Sequence, residues 1–288
     1  MTAGPLLAID WGTTNRRVYR IEDGKVAATE RDAMGVTAVS DFTGELAAIR
    51  SRFGDLPVLM AGMVGSTIGW REAAYVAAPA GIADLGDTLL RIDQRTAIVP
   101  GVSFNDGTRG DVMRGEEVQL LGAVAAELAP SNALLVQPGT HCKWVDMVGG
   151  RIARFTTAMT GELFALVRAH GILSAQLGAE VVLGDAFLDG VREGAKRDLT
   201  ASLFGIRAAK LLGLRDDADA ASFASGVIIG ADVAARAAIT PFDMAYILAD
   251  PVLGGLYAAA IEANGRAATI IDSHAAFVAG ISRIGAYL

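Results

Sequence analysis

The chain has 288 residues, 52% of them hydrophobic and 20% charged, with a formal net charge of −7. That length allows two domains or one large one, and the acidity argues against nonspecific nucleic-acid binding. One cysteine, Cys142, and three histidines exclude an intrachain disulfide, argue against structural zinc and fit a reducing cytoplasm.

The chain opens with three short strands, expected over 6–10, 16–21 and 25–31, with Asp23-Gly24 turning between the second and third. The segment before them, starting at Met1, has no basic start, so no signal peptide is expected. A helix over 41–52 follows, then an apolar strand over 57–63, a strand over 96–102 and a helix over 115–128. The order then restarts. Strands are expected over 133–137, 141–148 and 151–157, with Gly149-Gly150 as a hairpin turn. Helices over 161–170, 185–193, 199–212 and 220–237, a strand over 244–249, a helix over 252–264, a strand over 268–271 and a helix over 273–286 complete the chain. No uninterrupted apolar run reaches the roughly 18–20 residues of a spanning helix, so no membrane partner is expected. A three-strand meander with a Gly-Thr turn thus occurs twice. The natural reading is a duplicated β-β-β-α-β-α core with a cleft between halves, divided where Pro130-Ser131-Asn132 breaks a helix.

The most informative segment is the first turn, Asp10-Trp11-Gly12-Thr13-Thr14-Asn15. An apolar strand delivers one carboxylate to its end, and the turn beyond it offers backbone N–H groups and hydroxyls to an anion. A carboxylate that can hold Mg²⁺ beside a turn that can hold phosphates equips a nucleotide site. An ordinary β-hairpin explains the same glycine and asparagine by turn geometry. Neither G-x-x-x-x-G-K-[ST] nor a G-x-G-x-x-G after a strand is present, which disfavours a Walker-type NTPase and a Rossmann dehydrogenase. Phosphate binding is left to the first turn and to the second, Gln137-Pro138-Gly139-Thr140-His141-Cys142-Lys143.

These residues resemble the sugar kinase/actin superfamily. Ile9-Asp10-Trp11-Gly12-Thr13-Thr14 matches its first phosphate motif, Gly139-Thr140 is similar to its second, and the stretch from Ile247 through Gly254-Gly255 to Tyr257 is similar to its adenosine motif. Six further stretches, taken in order, look like the 2-dehydro-3-deoxygalactonokinase family. They are Met60 to Ser66, Gly69 to Ala73, Pro79 to Gly81, Asp111 to Glu117, Pro138 to Val145 and Met159 to Phe164. Cys142 stands where that resemblance leads one to expect Ser. The resemblance implies duplicated ribonuclease-H-like domains of the actin-like ATPase fold, with an interdomain cleft. It implies a sugar-acid-binding lobe over 1–130 carrying the first phosphate turn. A nucleotide-binding lobe over 131–288 would follow, its last helix packing back at the hinge. It also implies transfer of the ATP γ-phosphoryl group to the 6-hydroxyl of 2-dehydro-3-deoxy-D-galactonate in galactonate catabolism.

Beside the resemblance stands a reading of each residue. Asp10 is the metal-side carboxylate, and Gly12, Thr13, Thr14, Gly139 and Thr140 form the phosphate cradle, with Gly254 and Gly255 at the nucleotide. Glu116 is the first choice for the base and Asp111 the second; helix capping explains Glu116 or Glu117 without catalysis. A 2-oxo acid carries a carboxylate, so Arg16, Arg71, Arg114, His141 and Lys143 are candidates to bind it, with Trp70 and Trp144 lining the pocket. His170, His274 and Cys142 are expected to be structural. The expected cofactors are ATP and Mg²⁺ and the partner a small-molecule sugar acid; a homodimer is left open. The competing readings are a kinase for another sugar acid or sugar, a phosphatase of the same fold, or an actin-like ATP-driven regulatory protein.

Overall fold

The computed structural model describes residues 4–288; residues 1–3, the start of the segment read above for a signal peptide, lie outside the described residues. In chain order the elements are β1 (Leu6–Trp11), β2 (Arg16–Glu22), β3 (Lys25–Asp32), α1 (Phe42–Phe53), β4 (Val58–Gly62), β5 (Tyr75–Ala77), α2 (Ile82–Asp87), β6 (Leu90–Asp93), β7 (Thr96–Ile98), β8 (Gly101–Asn105), β9 (Gly110–Met113) and α3 (Glu116–Ala125). Then come β10 (Ala133–Gln137), β11 (Cys142–Val148), β12 (Arg151–Ala158), α4 (Thr160–His170), α5 (Asp185–Gly194), α6 (Leu199–Leu211), α7 (Asp217–Ile239), β13 (Met244–Leu248), α8 (Pro251–Ala263), β14 (Ala267–Ile271) and α9 (Ser273–Ile284).

The sequence suggests one boundary near residue 130. The contacts place the first break after Asn132 and return two later segments to the first unit. Unit 1 comprises Met1–Asn132, Asp146–Phe155 and Asp272–Leu288; unit 2 comprises Ala133–Val145 and Thr156–Ile271.

Unit 1 is built on a six-stranded sheet in the order β3-β2-β1-β4-β7-β6. β1 pairs antiparallel with β2 and parallel with β4, so it lies inside the sheet, and Leu6 to Ile9 are buried. A continuous apolar run suits such a strand, since both of its faces are covered. Leu7, Ile9, Val18, Ile49, Met60 and Ile98 form the core of this unit. α1 is capped by Asp41, whose Oδ1 accepts the Gly44 N–H at 2.9 Å, and its Leu46, Ile49 and Phe53 turn inward. α9 packs on α3 through Gly122 and Gly280. An ideal Cβ on Gly122 would lie 1.9 Å from the Ala276 carbonyl oxygen, so the two backbones meet where only glycine fits.

A separate sheet, β5-β8-β9, was not foreseen in the sequence. The single strand expected over 96–102 is two strands in different sheets, β7 and β8. Pro100 separates them; it has no N–H for a ladder and ends the first pairing.

Unit 2 carries the sheet order β12-β11-β10-β13-β14, with β10, β13 and β14 parallel. Its core gathers Val136, Trp144, Phe187, Ile247, Leu256 and Tyr257. α5 and α7 cross through Gly190, Gly194, Gly226 and Gly230, where an ideal Cβ at each position would fall 2.1–2.5 Å from a carbonyl oxygen of the other helix. Among the described residues, α7 is the one helix long and apolar enough to cross a bilayer, but 56% of that window is buried within the protein. It is a core helix, and Asp219, Asp232 and Arg236 interrupt its apolar character.

Candidate active site

In unit 1, β1 carries Asp10 next to its C-terminal end, aligned with Arg17 on β2 and Ala61 on β4. Three chain segments close on that end. An ideal Cβ on Gly62 would lie 2.8 Å from the Trp11 carbonyl oxygen, and one on Gly115 would lie 3.1 Å from the Gly62 Cα. Gly62 and Gly115 both have φ near +100°, in the region that favours glycine. The start of α3 is thereby held against the ends of β1 and β4, and Glu116 comes within electrostatic reach of Asp10. Burial pushes the Asp10 carboxyl up to about 6; the Arg17 charge opposes the shift and the Glu116 charge adds to it.

Glu116 and its neighbour differ in role. A Glu116 oxygen accepts the Arg114 N–H at 3.0 Å, at the margin of the site. Glu117 is fully buried and receives the Gly115 N–H on both carboxyl oxygens, at 2.9 and 2.7 Å. Burial, then the charge of Glu116, pushes the Glu117 carboxyl up to about 8. Asp111 is on β9 in the separate small sheet; it pairs with Arg109 at 2.9 Å and accepts its own neighbour's N–H from Val112. The structure thus brings together Asp10 and Glu116 and anchors Asp111 to Arg109.

The turn after β1 is braced from one side. The carbonyls of Gly12, Thr13 and Thr14 accept the N–H groups of Val36, Thr37 and Gly35 at 3.0, 3.2 and 3.3 Å. A trans peptide points its N–H opposite to its C=O, so the N–H groups of Thr13, Thr14 and Asn15 face away from that brace. Successive amides facing one way form an anion-binding concavity. A 170 Å³ cavity at the turn is lined by Asp10, Gly12, Asn15, Arg16, Arg17 and Arg31. Arg17 was missed in the sequence reading. Its guanidinium meets the Tyr19 hydroxyl at 3.3 Å and the His274 ring at 2.8 Å. The β1–β2 register alone places it opposite Asp10, and that register was readable from the short turn.

The cations expected around a substrate carboxylate are spread out. Arg16 is 3% exposed and committed: it pairs with Asp32 at 2.7 Å and Glu45 at 2.8 Å, and its guanidinium lies over the Trp11 ring. Trp70 stacks on Phe42 at 5.9 Å, part of the unit 1 core. Arg71 is exposed. Arg114 donates Nη2 to the Ala73 carbonyl at 2.8 Å and lies over the Tyr75 ring, while its buried Nε and Nη1 have no acceptor. Such unpaired donors cost stability unless a ligand or water meets them.

In unit 2, Gly139 and Thr140 are exposed between β10 and β11. The first turn of α4 is pressed beneath them. The Glu162 N–H donates to the Thr140 carbonyl at 2.8 Å, and an ideal Cβ on Gly161 would lie 2.3 Å from the Gly139 carbonyl oxygen. His141 pairs with Glu162 at 2.6 Å beside the turn, whereas Lys143 is 5% exposed and donates to Thr157 Oγ1 at 2.8 Å. Gly254 and Gly255 are the fourth and fifth residues of α8, whose N-cap Asp250 accepts the N–H groups of Val252 and Leu253. Gly255 opens to free space and Gly254 packs against Ile270. Cys142 is fully buried, and burial pushes its thiol well above the ordinary value, the opposite of an activated nucleophile.

A sequence model of the 2-keto-3-deoxy-galactonokinase family matches residues 10–284. The chain belongs to that family. It is 38% identical over 297 residues to a protein of Rhizobium meliloti (strain 1021) named as a 2-dehydro-3-deoxygalactonokinase, with 98% of this chain and 96% of the relative aligned. It is 37% identical over 284 residues to the 2-dehydro-3-deoxygalactonokinase of Escherichia coli (strain K12), covering 96% of each. A crystal structure of a Sinorhizobium meliloti protein assigned to the same kinase superposes with a TM-score of 0.91 at 36% identity, over 97% of both chains. At 10% identity and a TM-score of 0.53, the activator of 2-hydroxyisocaproyl-CoA dehydratase from Clostridium difficile, solved with bound ADPNP, shares the fold. The family match takes in both glycine–threonine turns and Glu116.

Proposed function

We propose that this chain transfers the γ-phosphoryl group of ATP to the 6-hydroxyl of 2-dehydro-3-deoxy-D-galactonate. The observation that carries the reading is the meeting of Asp10 and Glu116 beside the braced 12–15 turn, in a chain matched along nearly its whole length by this kinase family. The donor set fits Mg²⁺, which keeps most of its waters and takes one or two protein carboxylates. Asp10 is the carboxylate that would hold it. Its carboxyl is raised by burial and by a second negative charge, a state that a cation relieves. When bound, the ion neutralises charge on the transferring phosphates.

The protein residues do the rest. On unit 1, the N–H groups of Thr13, Thr14 and Asn15 hold phosphate oxygens. On unit 2, Gly139 and Thr140 do the same, and Gly254 and Gly255 near the start of α8 receive the nucleoside. Glu116 accepts the proton of the sugar 6-hydroxyl as the oxygen–phosphorus bond forms; the bond from phosphorus to the bridging oxygen breaks and ADP departs. Asp111 is the alternative base. Arg114, with two buried N–H donors lacking acceptors, is the strongest candidate for the substrate carboxylate, ahead of Arg71 and His141. Arg16, Trp70 and Lys143 act behind the site through the contacts described above.

The strand orders β3-β2-β1-β4-β7 and β12-β11-β10-β13-β14 run in parallel, and this supports reading the two units as copies of one β-β-β-α-β-α design.

The deciding experiment is an ADP-release assay with ATP, Mg²⁺ and a panel of 2-dehydro-3-deoxy sugar acids, with the product identified by mass and phosphorus NMR. Turnover that requires the galactonate derivative and yields its 6-phosphate supports the reading. ADP release that ignores the sugar acid, or a stronger preference for another sugar, overturns it.

A further inference from the structure

A carboxylate in the apolar middle of α7 has no place in the mechanism above. Asp232 follows Ile228-Ile229-Gly230-Ala231 and precedes Val233. Its Oδ2 accepts Trp144 Nε1 from β11 at 3.0 Å and Thr160 Oγ1 from α4 at 3.2 Å. Cys142 of β11 and Tyr257 of α8 are buried in the same core, and the Tyr257 ring meets the Trp144 ring at 6.5 Å. Three elements of unit 2, β11, α4 and α7, therefore meet at one carboxylate. Burial raises the Asp232 carboxyl, while the donors from Trp144 and Thr160 and the Arg236 charge one turn along oppose that shift. A buried charged group is tolerated when its lone pairs are this well occupied.

The arrangement has a direction. α4 begins without a capping side chain, since its N-cap residue is Met159. The helix start is instead anchored one residue later, by the Thr160 hydroxyl on Asp232. The next two residues carry the second glycine–threonine turn, Gly161 under the Gly139 carbonyl and Glu162 N–H on the Thr140 carbonyl. A displacement of Thr160 is passed directly to Gly139 and Thr140.

The geometry points to Asp232 as a positioning residue that acts through Thr160 to set the place of the Gly139–Thr140 turn, and through it nucleotide affinity. This rests on the assignment of that turn to phosphate binding.

The test uses the full chain with Thr160→Val, Thr160→Ser and Asp232→Asn, and with Ser222→Ala as a control. Ser222 lies on the same helix, and its hydroxyl accepts the Val182 N–H at 3.0 Å, away from the turn. Loss of a hydrogen bond to a charged group corresponds to roughly a tenfold change in an equilibrium constant. Thr160→Val is therefore expected to raise the KM for ATP roughly tenfold, with the KM for the sugar acid unchanged and kcat altered less than the ATP KM. Thr160→Ser restores the wild-type value, and Ser222→Ala lowers Tm without moving the ATP KM. Asp232→Asn falls between, because its carbonyl oxygen can still receive both Trp144 and Thr160 but without the charge that strengthens those bonds. If Asp232→Asn does not fold, the two Thr160 variants carry the test.

Titration calorimetry with a non-hydrolysable ATP analogue separates the two assignments. Nucleotide binding by the wild type that Thr160→Val leaves untouched overturns the positioning role alone, as does an equal rise in sugar-acid KM. Wild-type protein that binds no nucleotide overturns the turn assignment and the positioning role with it. Nucleotide binding weakened by Thr160→Val, in a protein that ignores the sugar acid, keeps the positioning role and overturns only the proposed substrate.

Discussion

Replacing Asp10 by Asn removes a charge while keeping volume. Under the proposed mechanism the variant folds, and its phosphoryl transfer at ordinary Mg²⁺ falls by at least roughly 10²–10³-fold. The same substitution bears on stability with the opposite sign. Asp10 ionises near 3.8 in an open chain and near 6 in the fold, so its contribution is full below 3.8 and is lost as pH rises through 6. Asn mimics the protonated form, and Asp10→Asn should melt several degrees above wild type at pH 7.5, with the gap closing near pH 4. A variant that is inactive yet more stable is the signature expected of a functional residue held under electrostatic strain. Glu117 follows the same rule over a wider window, from about 4.5 to about 8. Wild-type Tm should fall as pH is raised from 5 to 8, and Glu117→Gln should flatten that slope; parallel curves for the two proteins would remove Glu117 as the source. For the base, Glu116→Gln should lower kcat roughly 10²-fold with a modest change in sugar-acid KM. Asp111→Asn, which severs a pair with Arg109, should be mild; the reverse outcome moves the base to Asp111.

At the scale of elements, the two glycine crossings set a limit on packing. On Gly122 and Gly280 of the α3–α9 pair, an ideal Cβ falls 1.9–2.0 Å from backbone oxygens, and no flexible side chain can give way. Gly122→Ala is expected to cost about 1–3 kcal/mol, at the upper end because the obstruction is backbone, read as a shift in the denaturant midpoint at constant slope. Gly255→Ala, where an added Cβ meets nothing, is the neutral comparison for stability. Elements also divide by how legible they were. β1, β2 and the turn between them were readable because the strand, the carboxylate and the turn are contiguous. The strand leading into α8 and its glycine pair were readable for the same reason. β5, β8 and β9 were not, since strands of three to five residues show no period and their pairing is decided by distant chain. The Arg16 ion cluster and the Asp232 network escaped as well, because their members are 16–88 residues apart. One local signal was present: Asp232 stands in the apolar middle of α7, apart from the aspartates of its first turn.

At the scale of the whole molecule, unit 1 is discontinuous. It takes in the first 132 residues, the tip of a later hairpin and the last helix, whereas unit 2 is nearly one continuous run from 133 to 271. Removing residues 272–288 should therefore damage unit 1, exposing the face of α3 that α9 covers, and leave unit 2 comparatively intact. Hydrogen exchange would show this as lost protection in β1, β4 and α3 with retained protection in α5 and α7. The same discontinuity has a consequence during synthesis. A growing chain ordinarily folds its N-terminal domain first. Here the ribosome delivers every residue of unit 2 before it releases the helix that closes unit 1. The Asp10 turn must then wait in an unfinished sheet, with an apolar helix face uncovered, until residues 272–288 emerge. Chaperone dependence and aggregation in cell-free translation should accordingly track the delay before residues 272–288 appear, and slowing elongation late in the message should worsen both.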